Sequence, residues 1–163
     1  MKKVKLLLLL FLPFALYAQS FEQFITSLNA TAASGRQARV DSFLAVNTSY
    51  PLVQNNTKAH FILTSSASSV NLAGDMNGWS SSKDKMANVA STNLWYTTAL
   101  YEANARLEYK FVLDNSNWIL DPKNPNKSAG GFGENSELAM PGYIKPWEIE
   151  KRTNTAKGTT KNY

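Results

Sequence analysis

Eight consecutive residues, Arg106-Leu-Glu-Tyr-Lys-Phe-Val-Leu113, alternate in polarity in a way only an extended chain can use. Side chains of a β-strand point to opposite faces in turn, so Leu107, Tyr109, Phe111 and Leu113 share one face. Arg106, Glu108, Lys110 and Val112 take the other. Such a strand must bury its apolar side against something else. The next residues, Asp114-Asn-Ser-Asn117, are turn formers that lead back into Trp118, which predicts a hairpin. The same pattern recurs from His60 onward, with strands expected at 60–64, 69–73, 94–100, 106–113, 117–120 and 137–140. Many short strands with frequent turns define an antiparallel sandwich, for which about ninety residues suffice. Its inward faces are expected from Tyr109, Phe111 and Leu113, with Val70, Leu72, Phe61 and Leu63.

Two short helices are expected ahead of this sandwich. Phe21, Phe24, Ile25 and Leu28 recur at i, i+3, i+4 and i+7, the spacing of one helix face. A second helix is predicted to start with Ser34 as its N-cap and to run through Val40, Phe43 and Leu44. It should end before Asn47-Thr-Ser-Tyr-Pro51, because proline cannot continue a helix. Neither helix is long enough to persist alone in water, so both should cover an apolar patch. The fold class is therefore mainly β: an antiparallel β-sandwich preceded by two short α-helices.

The ends of the chain read differently. Lys2, Lys3 and Lys5 precede an apolar run over 6–16 that is too short to span a membrane as a helix. The run closes on Leu16-Tyr17-Ala18, the layout of a secretory signal peptide cut after Ala18. Cleavage would leave 145 of the 163 residues, in a secreted or periplasmic protein with no remaining membrane segment. It would also lower the net charge from +5 to +2, of which the segment 144–163 contributes +3 and the body −1. The basicity thus lies outside the sandwich, which argues against nucleic acid as a partner. Pro141-Gly and Pro146-Trp punctuate an exit. The expected organisation is a leader at 1–18, a helical segment at 19–57, a sandwich at 58–141, and a linker or the start of a further domain at 142–163.

Motifs for catalysis are missing from the sequence. Without cysteine there is no thiol nucleophile, thiolate metal site or disulfide framework. No Gly-x-Ser-x-Gly elbow occurs, and the glycines at 130, 131 and 133 are not followed by the Gly-Lys-Ser/Thr of a phosphate cradle. His60, the single histidine, opens a strand with no partner to orient it and reads as structural. Asp75, Asp114 and Asp121 sit near turns, where aspartate hydrogen-bonds its own backbone. No catalytic residue, metal site or cofactor is expected.

Aromatic and amide residues are more informative. Trp79 follows the turn Gly74-Asp-Met-Asn-Gly78, and Trp118 follows Asn115-Ser-Asn117. Flat aromatic faces at loop edges suit the C–H faces of sugar rings, and lysine and amide groups can hydrogen-bond the hydroxyls. The spacing is equally compatible with two core tryptophans, since tryptophan is highly buried on average.

Several motifs, in order, carry a resemblance: Val70-Asn-Leu-Ala-Gly-Asp-Met-Asn-Gly-Trp79, Leu94-Trp95, Glu108-Tyr-Lys-Phe-Val112, Trp118-Ile-Leu-Asp-Pro122 and Gly131-Phe-Gly-Glu-Asn135. Over residues 58 to 141 the chain resembles the family-48 carbohydrate-binding module. That module is the early-set, immunoglobulin-like sandwich of glycogen-branching and debranching enzymes and of the AMP-activated kinase β subunit. The resemblance implies a glucan grip by Trp79, Trp118, Lys110 and Asn135, with Phe132 as an apolar contact from the last loop. The layout as a whole is similar to the front end of secreted bacterial esterases of the enterochelin or feruloyl type, where such a sandwich precedes an α/β-hydrolase. Two readings follow. One is a non-catalytic module that binds a polysaccharide or oligosaccharide by stacking; the other is a structural domain that shapes the substrate entrance of an α/β-hydrolase without binding sugar itself.

Overall fold

A computed structural model describes residues 19–149, 158–159 and 161. The predicted leader at 1–18 and most of the tail beyond 149 lie outside the described residues. Helix α1 (Phe21–Ala30) opens with a reciprocal cap: the Ser20 hydroxyl accepts from the Gln23 N–H, and the Gln23 side chain accepts from the Ser20 N–H. Helix α2 (Ala33–Val46) does not start at Ser34 as the sequence predicts; Ala32 holds the cap position without a side-chain bond. Arg36 braces the same turn from the other side. Its guanidinium donates to the carbonyls of Thr31, Asn29 and Ala90 at 2.9, 3.0 and 3.0 Å. One side chain of α2 thereby satisfies carbonyls at the end of α1 and ties the two helices together.

Ten strands follow among the described residues: β1 (Leu52–Gln54), β2 (Lys58–Thr64), β3 (Val70–Gly74), β4 (Asp84–Lys85), β5 (Ala87–Asn88), β6 (Leu94–Leu100), β7 (Arg106–Leu113), β8 (Asn117–Ile119), β9 (Lys127–Gly130) and β10 (Gly133–Ala139). They form two antiparallel sheets, ordered β1-β2-β6-β5 and β4-β3-β7-β10-β9. Strand β7 is shared along its length. β10 pairs its first half, Arg106 to Tyr109, while β8 pairs Phe111 to Leu113 on the same side. The protein is a β-sandwich of the immunoglobulin-like kind with two short helices, as the sequence implies.

Four strands escape the sequence reading, and β10 starts at Gly133 rather than at 137. β1 is made by its turn: Asn55 and Asn56 both adopt left-handed φ, 53° and 58°, the pair of conformations that lets a tight hairpin match the twist of its strands. Asp114 and Asn115 do the same between β7 and β8. β4 and β5 are two residues each and carry no periodicity to detect.

Side-chain alternation sorts the molecule into layers. Phe61, Leu63, Val70, Leu72, Tyr109 and Phe111 are buried between the sheets with Met86, Trp95, Leu138 and Met140; Leu113 packs against them only partly buried. The Tyr109 ring lies 4.9 Å from Phe61 and 5.7 Å from Phe111, both edge-on. Strand β2 is buried on both faces, because Ile62, with Leu94, meets Phe21, Phe24, Ile25 and Leu28 on the far side of its sheet. The helices therefore cover one outer face. The outer face of the other sheet is left open.

His60 joins helix to sheet. The amide oxygen of Gln54 faces both the Phe21 N–H and His60 Nε2, each at 3.1 Å. An amide oxygen only accepts, so Nε2 carries the proton and Nδ1 accepts from the Thr98 hydroxyl at 2.8 Å. Burial pushes the imidazole below its ordinary range. The unfolded chain then binds the extra proton first as pH falls, so stability is complete above about 6.5 and declines below it toward the folded value. Urea midpoints measured across this range should fall with pH in the wild type and stay level in His60→Gln. In the core, Phe111→Ala should cost about 3–5 kcal/mol, much of an ordinary domain's stability. A wild-type unfolding midpoint for that variant would contradict its place between the sheets.

Candidate ligand-binding groove

The five residues singled out in the sequence, Trp79, Lys110, Trp118, Phe132 and Asn135, all line one open groove. Asp75, Glu108 and the glycines of the β9–β10 turn complete its walls, and its volume is about 550 Å³. It lies on the outer face of the second sheet, opposite the helices.

Strand β7 supplies the floor. Lys110 projects on the face opposite Tyr109 and Phe111, which are buried. Ser136 stands opposite Tyr109, and continuing that register by one residue sets Asn135 beside Lys110. Trp118 stands opposite Val112 on β8, on the same face and one diagonal step from Lys110. Lys110, Trp118 and Asn135 are thus brought together by strand register alone.

Trp79 arrives from a turn. The chain leaves β3 at Gly74, where a Cβ would fall 2.3 Å from the Glu108 carbonyl oxygen, so only glycine fits against β7. A single 3₁₀ turn over Asp75–Asn77 follows, then Gly78 and Trp79, both left-handed at φ 66° and 62°. Asn77 holds this turn by accepting from the N–H groups of Gly74 and Ser80 and donating to Leu72 and Asp84. The indole N–H of Trp79 donates to Asp75 Oδ1 at 3.0 Å, and Asp75 Oδ2 accepts the Glu108 N–H at 2.8 Å. One carboxylate therefore clips the tryptophan to β7.

Phe132 belongs to the tip of a tight hairpin. Gly133 pairs with Gly130, leaving Gly131 and Phe132 as a two-residue loop, and Gly133 takes φ 103°. The Phe132 ring is wholly exposed at 105%. The question the spacing leaves open is answered by exposure: Trp118 is 41% exposed and Trp79 partly so, whereas the core tryptophan is Trp95 at 7%.

Charge in the groove is unevenly committed. Glu108 accepts from the Ser128 hydroxyl and the Asn135 amide, each at 2.7 Å, and pairs with Arg106 at 2.9 Å. Burial works to raise its pKa, but the bonds from Asn135, Ser128 and Arg106 outweigh it and hold the carboxyl below its usual range. Arg106 also donates to Glu137 on β10. Among the described residues, the Lys110 side chain has no hydrogen-bonding or ionic partner and is a free cationic donor of the site. No group of three or more histidine, aspartate or glutamate side chains is placed to hold a metal ion among the described residues.

Sequence reasoning missed Asp75, Glu108 and the need for Gly130. Glu108 could have been found, since it shares a strand face with Lys110 two residues on. Asp75 could not be separated from an ordinary turn residue. Its effect is measurable: Asp75→Ala should move the indole N–H resonance of Trp79 in a ¹H–¹⁵N spectrum and leave that of Trp95 in place.

No protein-family model matches the chain, and no curated protein does. Solved structures do. An enterobactin esterase from Shigella flexneri, with 2,3-dihydroxy-N-benzoyl-serine present, is 18% identical with a TM-score of 0.53. An enterochelin esterase from Shigella flexneri is 19% identical at 0.52, and a ferric enterobactin esterase from Salmonella typhimurium is 15% identical at 0.53. Each alignment covers 71% of this chain but only 39% or 40% of the esterase. The chain therefore corresponds to well under half of those proteins, and the likeness is one of fold.

Proposed function

We propose that this chain is a non-catalytic binding domain that holds a polysaccharide or oligosaccharide, of α-glucan type, across the groove between Trp79 and Trp118. The observation that carries the reading is the convergence of five separately placed residues on one exposed sheet face. The two indoles offer apolar surfaces to the C–H faces of sugar rings, Lys110 offers a donor, and the Asn135 amide can bridge hydroxyls. The site would work outside the cytoplasm, in keeping with the leader read from the sequence. Stacking contacts contribute about 1 kcal/mol each beyond area, so binding should be weak, on the order of millimolar to tens of micromolar.

A specific observation favours a second reading. The similar structures named above are esterases of which this fold forms a minor part. That supports an α/β-hydrolase partner domain, with the sandwich shaping its substrate entrance and binding no sugar. Affinity electrophoresis through gels containing glycogen, starch, xylan or no polysaccharide separates the two. Retardation by one glycan, lost in both Trp79→Ala and Trp118→Ala while the melting temperature is kept, is the result expected of the binding domain. Unretarded migration of a folded protein in every gel would overturn it in favour of the second reading.

A further inference from the structure

Asn135 can present either end of its amide to the groove, and the choice decides what a ligand must offer there. The structure assigns that choice to Glu108: we propose that Glu108 is a positioning residue that turns the Asn135 carbonyl oxygen toward the ligand and its NH₂ group away. This rests on the groove being the binding site proposed above, and it adds a residue with no part in the stacking grip itself.

Donors and acceptors decide the orientation. An ionised carboxylate can only accept, so whichever end of the amide meets Glu108 must be the NH₂ group. The contact is 2.7 Å, from Asn135 Nδ2 to Glu108 Oε2. Two further donors keep the carboxylate in place and charged, the Ser128 hydroxyl and the Arg106 guanidinium, both at Oε1, while the N–H of residue 108 tethers its main chain to Asp75. The hairpin is shaped to allow the reach. A Cβ at residue 130 would lie 2.9 Å from Asn135 Nδ2, so glycine there clears the path of the amide to the carboxylate. Asn135 Oδ1 has no partner among the described residues, and Asn135 lines the groove together with Lys110. The site then offers one fixed acceptor next to one free cationic donor, and a ligand must bring a group that donates to the first and accepts from the second, as a hydroxyl does.

Replacing Glu108 by glutamine keeps the shape and reverses half the chemistry. The new NH₂ group would face the Asn135 amide, whose carbonyl would turn to accept from it, leaving the NH₂ of Asn135 toward the groove. The Asp75 tether uses the main-chain N–H of residue 108 and survives the change, so the Trp79 indole resonance serves as a control for local structure.

The experiment uses the full chain, with the side-chain NH₂ resonances of Asn135 identified by their loss in Asn135→Ala. In ligand-free Glu108→Gln those resonances should shift and exchange faster with water while the Trp79 indole signal stays. In gels of whichever of glycogen, starch or xylan retards the wild type, Glu108→Gln and Asn135→Ala should each weaken binding up to about tenfold, the upper worth of one neutral hydrogen bond. The double variant should bind no worse than Asn135→Ala alone, because Glu108 acts through Asn135. Unmoved Asn135 resonances, or losses that add in the double variant, would overturn the assignment. If no glycan retards the wild type, the sugar reading falls, and the ligand-free spectra alone decide whether Glu108 orients the amide.

Discussion

The hydrogen bond from Tyr109 to Asp121 is the contact on which the rest of the groove depends. The ring of Tyr109 is in the core between the sheets, yet its hydroxyl reaches Asp121 Oδ2 at 2.6 Å, both residues being almost wholly buried. Burial raises the pKa of both groups, and their mutual hydrogen bond, with the Lys123 N–H donating to Asp121 Oδ1, makes both tolerable there. Asn124 joins them, donating to the Tyr109 hydroxyl and to the Glu137 carbonyl. The Asp121 N–H donates to Ser136 Oγ, and Lys127 donates to the Asp121 carbonyl. This buried set fastens the segment after β8 onto β10. That segment delivers β9 and the glycine hairpin, so the position of Asn135 and Phe132 follows from a core tyrosine many residues away in sequence.

A division of labour along one strand results. Odd residues of β7 build the core and anchor Asp121; even residues build the groove. Arg106, Glu108 and Lys110 stand in a row on the exposed face, the first two engaged with each other and with β10, the third free. The helices take no part in the groove because they lie on the opposite sheet, where they replace solvent over Ile62 and Leu94. Sandwich, helical cover and grooved outer face are thus three layers set by the alternation of β2 and β7.

Much of this order is legible in the sequence, and the failures have identifiable causes. The period of two in β7, the turn after it and the 3.6-residue spacing of α1 are strong local signals, and they return the right elements. Trp79, Lys110, Trp118, Phe132 and Asn135 line one groove, although their chemistry with a ligand is a separate matter. β1 and β9 are hidden because turn conformation, not hydrophobic pattern, creates them: two left-handed asparagines in one case and a two-residue glycine hairpin in the other. Ser34 misleads because α2 starts at Ala33 with no side-chain cap, and the turn before it is braced instead by Arg36 donating to the carbonyls of Asn29 and Thr31. Asp75 and Glu108 are invisible as a pair, since they lie 33 residues apart and meet only when β3 and β7 come into register.

The backbone at Trp79 has a meaning beyond geometry. A left-handed residue that carries a Cβ costs roughly 1–2 kcal/mol relative to glycine, and a bulky aromatic is an uncommon occupant of that region. Folding alone would be better served by glycine or asparagine at this position. The indole is therefore held against the preference of its own main chain, by Asp75 on one side and the Asn77 turn on the other. A copy of this protein released from whatever use the groove serves should lose its tryptophan there early, and gain stability by doing so.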